Sequence, residues 1–173
     1  MKVCPFLELG VKIVVPTVKL YENNSYIKTF DAVVLSCEEK EDKYLITLDK
    51  TAFFPEGGGQ YADKGILADA NVLDVQIKDN IIYHLTDKPL NIGDTVTGKI
   101  DWDTRFPRMQ NHTGEHIVSG VIYNLYGYNN VGFHMNDHFI TLDVDGPLNE
   151  PDIAKIELEV NKTIYANKKI NVI

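Results

Sequence analysis

Residues 101–127 read DWDTRFPRMQNHTGEHIVSGVIYNLYG, and the spacing of their apolar residues decides how the chain divides. Apolar side chains at 117, 118, 121, 122 and 125 recur at three- and four-residue intervals, which puts them on one face of a helix. Asp101 stands where an N-cap is favoured, and Gly127 where a left-handed C-terminal residue is. Pro107 is expected to mark a first turn or a kink.

Upstream the period changes. YIKTFDAVVLSCEE (26–39), KYLITLD (43–49), NVLDVQIK (71–78), NIIYHLT (80–86) and DTVTGKID (94–101) are rich in Val, Ile, Thr and Tyr, with Gly, Asn and Asp between them. Several short strands at this spacing predict a small β-barrel rather than a parallel sheet. Downstream, DHFITLDVD (137–145) reads as a strand. NEPDIAKIELEVNKTIYANKK (149–169) reads as a helix entered through Asn149, with Pro151 in its first turn. INVI (170–173) looks like a strand just beginning. The expected architecture is a β-barrel-like domain over residues 1–99, carrying the glycine-rich loop, followed by an incomplete α+β domain over 100–173.

Composition narrows the function classes. With 173 residues, 44% of them hydrophobic, the chain can bury a real core. Seventeen Lys and Arg against 25 Asp and Glu give a net charge of −8, which argues against strong non-specific binding to nucleic acid or anionic lipid. A polyanion would have to be met by a local patch. Cys4 and Cys37 form no disulfide pattern, which points to a reducing compartment. No apolar run approaches the roughly 20 residues that span a bilayer. The opening MKVCPFLELGVKIVVP holds Glu8 and Lys12 and no small-residue cleavage site, so no secretory signal is expected and a cytoplasmic location is.

Two stretches carry chemistry. In TAFFPEGGGQYADKG (51–65) three adjacent glycines precede Gln60. Such a run suits a turn needing positive φ, or a surface where another backbone, such as a phosphodiester, approaches amide N–H groups. In HTGEH, His112 and His116 stand at i and i+4, so one helical face presents both imidazoles and two nitrogens can meet one metal ion. A closed site needs further ligands, and no other His or Cys has an obvious metal-ligand spacing. His134 and His138 repeat the interval, but GFHMNDHFI (132–140) reads as a loop entering a strand, which makes that pair ordinary polar surface. Taken literally, HTGEH also matches the H-x-x-E-H metallopeptidase pattern, with Glu157 or Glu159 as candidates for a third ligand. The glycine-rich segment has no role in that reading.

Together, TAFFPEGGGQYADKG and RMQNHTGEHIVSG (108–120) resemble the editing region of alanyl-tRNA synthetase and of its free-standing relatives, the AlaX proteins. The likeness runs from about Tyr21 to the last residue and includes NVGFHMNDHFITLDVDG (130–146). It implies a small β-barrel followed by an α+β editing domain, and hydrolysis of wrongly charged Ser-tRNA(Ala) or Gly-tRNA(Ala). Such an activity has a physical reason: a pocket built for alanine cannot exclude glycine, nor strongly reject an analogue that only adds a hydroxyl.

The resemblance places Thr51 as the reader of the serine hydroxyl. It sets Gly57, Gly58, Gly59 and Gln60 beside the tRNA acceptor end, and makes His112 and His116 zinc ligands. It names no general acid or base. The family completes its zinc site with a downstream Cys-x-x-x-His, and no Cys follows Cys37 here. Residues 1 to about 16 match nothing in the family. The chain is therefore expected to be the N-terminal part of a longer editing protein, largely metal-free and inactive by itself, and prone to self-association through exposed apolar surface. The alternative is a piece of the synthetase acting as a tRNA-binding module.

Overall fold

A computed structural model describes residues 15–135 and 139–169. Cys4, His138 and the INVI segment lie outside the described residues. The chain separates into two compact units, one built from the described residues up to 55 with 64–100, the other from 56–63 with the described residues from 101 onward.

The first unit contains β1 (Val18–Lys19), α1 (Leu20–Asn23), β2 (Thr29–Lys40), β3 (Lys43–Leu48), β4 (Lys50–Thr51), β5 (Gly65–Leu67), β6 (Ala70–Lys78), β7 (Ile81–Thr86) and β8 (Thr95–Ile100). Six of these strands pair antiparallel in the order β2-β3-β7-β6-β5-β8, and β8 returns to β2, so the sheet closes into a barrel. Period-two alternation builds the interior. Phe30, Ala32 and Val34 of β2 are buried, as are Val96 and Ile100 of β8 and Ile82 of β7, with Val72, Val75 and Leu67 completing the wall.

Two of the buried polar side chains of this unit, Thr51 and His84, bond to each other. Thr51 and His84 are each 0% exposed. The His84 Nδ1–H donates to the Ile46 carbonyl at 3.2 Å, which leaves Nε2 to accept from the Thr51 hydroxyl at 2.9 Å. The same hydroxyl accepts from the Phe53 N–H at 3.1 Å. Every lone pair and proton of this chain of bonds that matters in a dry interior is used. Thr51→Val is therefore expected to lower the stability of the first unit by about 1–3 kcal/mol, because it strands His84 Nε2 and the Phe53 N–H together. Denaturant titration followed by hydrogen exchange at the barrel amides measures this loss.

The second unit contains α2 (Trp102–Tyr126), β9 (Asn130–Met135), β10 (Ile140–Val144) and α3 (Glu150–Tyr165). The Asp101 side chain accepts from the Thr104 N–H at the start of α2, and Gly127 ends it at φ 74°. Pro107 lies in the second turn of this continuous helix, so the expected first-turn mark falls one turn later. Asn149 and Asp152 form a reciprocal capping box at the start of α3. The strand expected over 137–145 is β10. Residues 130–135 form β9 and pair antiparallel with it, where a loop is expected from the sequence. Ile156 of α3 and Ile122 of α2 are buried, while Val118, Leu142, Val144 and Ile153 line an apolar groove beside them. Among the described residues no helix is long and apolar enough to cross a membrane.

The glycine-rich loop thus falls in the second unit, and the sequence-based boundary is corrected there. The reason lies in its side chains: Gln60, Ala62 and Asp63 are buried, and their partners are on α2.

Candidate metal and acceptor-end site

Helix α2 presents Arg105, Arg108, His112, Glu115, His116 and Ser119 at intervals of three and four, so these residues share one stripe. The loop 56–63 is fastened along it. Arg105 and Asp63, with side chains 2% and 1% exposed, form a buried ion pair. Arg108 donates to the Ala62 carbonyl at 2.9 Å and lies over the Tyr61 ring, 5.4 Å from its centroid. One turn on, His112 Nδ1 is 3.1 Å from Gln60 Oε1. Gly57 and Gln60 bridge each other through two backbone hydrogen bonds of 3.1 and 3.0 Å, which pins the loop's shape. Gly59 sits at φ 77°, and a Cβ there would come within 2.5 Å of the Phe133 ring, so the backbone and the aromatic share space that only glycine leaves open.

Two rings stack on His112. The Phe133 ring lies 5.6 Å away at 24°, and the His116 ring 5.0 Å away at 16°. Burial, with the neighbouring His116 acting in the same sense, lowers the His112 pKa from its ordinary value, against the opposing pull of Glu115. The imidazole is thus biased toward the neutral form that binds metals. Glu115 is 7% exposed and accepts from Asn130 at 2.7 Å and from Ser119, while its other oxygen stands 3.5 Å from His116 Nδ1. The ligand atoms of His112, Glu115 and His116 lie within 4.8 Å of one another.

Residues 17–104 match the family model described as tRNA synthetases class II (A). Curated relatives extend the likeness through α2 and beyond. The alanyl-tRNA editing protein AlaX-L of Pyrococcus horikoshii is 34% identical over 154 residues, covering 84% of this chain and 38% of that protein. An alanine–tRNA ligase of Ignicoccus hospitalis is 36% identical over 163 residues, covering 90% of this chain and 18% of the ligase. The alanyl-tRNA editing protein Aarsd1 of Bos taurus is 32% identical over 165 residues, covering 87% of this chain and 37% of that protein. The chain belongs to the alanyl-tRNA synthetase and editing-protein family. It spans about two fifths or less of the length of these relatives.

The zinc that family resemblance implies can be tested against the residues present. Both imidazoles have an acceptor near Nδ1, Gln60 for His112 and Glu115 for His116, which turns the lone pairs of both Nε2 atoms away from those acceptors. A pair of stacked, anchored imidazoles with a carboxylate beside them suits zinc, and these residues fit it as part of a ligand set.

Thr51 is buried, with its hydroxyl bonded to His84 and to the Phe53 N–H. Gln60 is 4% exposed and meets His112, whereas Gly57, Gly58 and Gly59 are exposed. His134 is an exposed residue of β9 opposite Thr141, outside the His112 group. Glu157 and Glu159 are likewise outside it, and Glu159 pairs with Lys162 at 2.7 Å. That removes the third ligand the metallopeptidase pattern asks for among the described residues. Sequence reading passed over Arg105, Arg108, Asp63 and Asn130. Arg105, Arg108 and His112 at i, i+3 and i+7 were the available signal.

Proposed function

We propose that this chain is the zinc-holding part of a hydrolase that cleaves the ester joining serine or glycine to tRNA(Ala). One observation carries the reading: the exposed glycines belong to the loop whose Gln60 meets His112 at 3.1 Å, and a Cβ added to Gly58 would stand 3.9 Å from the His112 ring. The loop's internal bridge uses the N–H groups of Gly57 and Gln60 and not those of Gly58 and Gly59. Without side chains there, the sugar–phosphate end of a tRNA can approach amide donors beside the metal ligands. The names of the relatives, editing proteins and alanine–tRNA ligases, support the same substrate class.

In this reading His112 and His116 hold the metal through Nε2, Gln60 and Glu115 fix the two rings, and Phe133 walls one side from water. Zinc, when bound, supplies Lewis acidity that polarises the ester and lowers the pKa of water. The glycine backbone orients the acceptor end so that the ester carbon is presented to that centre.

Incubated with Ser-tRNA(Ala), Gly-tRNA(Ala) and Ala-tRNA(Ala), the full-length protein is expected to release serine or glycine and to spare alanine. His112→Ala is expected to cost about 100-fold or more in rate, since the Lewis acid supplies several kcal/mol. Equal release from the seryl and alanyl esters would sink the editing reading. Peptide cleavage abolished by Glu115→Gln would replace it with the peptidase.

A further inference from the structure

We propose that Gln60 is a positioning residue which sets the tautomer of His112, placing the imidazole proton on Nδ1 and the metal-binding lone pair on Nε2. The proposal rests on the metal-holding reading of His112 and His116.

A neutral imidazole carries one N–H, and which nitrogen bears it depends on the partner of the other. A free histidine in water favours the proton on Nε2, the arrangement that would block a metal at that atom. Gln60 Oε1, 3.1 Å from Nδ1, is an acceptor and so selects the opposite tautomer. Its placement is firm. The residue is 4% exposed, its backbone is locked to Gly57 by two hydrogen bonds, and the loop beyond it is tied to α2 through Arg108 and the Asp63–Arg105 pair. The Phe133 and His116 rings, both stacked on His112, hinder rotation of the imidazole. The glutamine that ends the glycine run thus has a task separate from the glycines. They keep the surface open, and it fixes the ligand beneath.

Two substitutions separate this role from simple packing. Gln60→Leu removes the acceptor at similar volume, and Gln60→Glu keeps an acceptor that has no N–H of its own. Long-range proton–nitrogen NMR spectra of the metal-free chain report which His112 nitrogen is protonated. Wild type and Gln60→Glu are expected to show Nδ1–H, and Gln60→Leu to move toward Nε2–H. Zinc affinity of the full-length protein, measured by competition with a chromophoric chelator, is expected to fall by about 10–100-fold in Gln60→Leu and to recover in Gln60→Glu.

Nε2–H in the wild type, or a tautomer indifferent to both substitutions, would overturn the proposal. Nε2–H in the wild type that changes to Nδ1–H in Gln60→Glu would mean that the amide N–H and not the carbonyl faces His112. If His112 follows Gln60 but the full-length wild type takes no zinc, the positioning role stands and the metal reading under the proposed function falls.

Discussion

Arg105→Leu is expected to destabilise the second unit by about 3–5 kcal/mol, the loss that follows when one partner of a buried ion pair is removed. The Asp63 side chain is 1% exposed, so its carboxylate would be left charged in a place water does not reach. Replacing the pair with apolar residues, Arg105→Met with Asp63→Leu, is expected to recover most of that loss, because the desolvation penalty of both ions disappears with them. The chain's one tryptophan makes the measurement local. Trp102 sits in the first turn of α2, stacked on Phe106 at 5.6 Å, and its fluorescence reports unfolding around Arg105 rather than in the barrel. The pair also closes the loop that carries Gln60, so the single substitution should loosen His112 as well as the fold. A loss under about 1 kcal/mol in Arg105→Leu would mean that Asp63 finds water or another donor, as exposed pairs do.

The features legible in the sequence are those whose cause is local. The switch of period near Ile100 is visible because side-chain repeats of two and of 3.6 are properties of one segment. His112 and His116 share a face for the same reason, and Asn149 caps α3 through a bond three residues long. What stayed hidden depends on partners far along the chain. Thr51 meets His84 33 residues away, a contact that holds its hydroxyl in the core. Gln60 and Asp63 meet α2 from 52 and 42 residues away, which moves the glycine loop from one unit to the other. Strand β9 was missed for another reason. Its NVGFHM pattern buries only Met135 and carries Gly132 mid-strand, so neither alternation nor β-propensity marks it. β5 is three residues long, below what periodicity can register.

The barrel should fail on mild acidification, and His84 gives the reason. Full burial lowers its pKa from 6.5 to about 4, against the raising effect of its bond to the Ile46 carbonyl. In the unfolded chain the same imidazole takes a proton near pH 6.5, so between these values the unfolded state binds more protons than the folded one. Stability then rises with pH across the window. The contribution is fully present above about pH 6.5 and is lost as the pH falls to about 4, a total of about 3 kcal/mol. No other histidine of this chain lies in the first unit, since the remaining four are at 112, 116, 134 and 138. Asp87, whose pKa the Asn71 side-chain and backbone bonds lower, adds its own loss only below the usual carboxylate range near 3.8. The two effects therefore fall in different windows. Hydrogen exchange at the Phe53 and Ile82 amides, followed from pH 7 to pH 4, should show the barrel opening more readily while Thr51 still bridges to a neutral ring. His84→Gln should start from a lower stability at pH 7 and lose far less over the same range. A wild-type barrel whose exchange free energy stays level between pH 6.5 and 4 would show that the buried ring finds a way to take its proton without opening the fold.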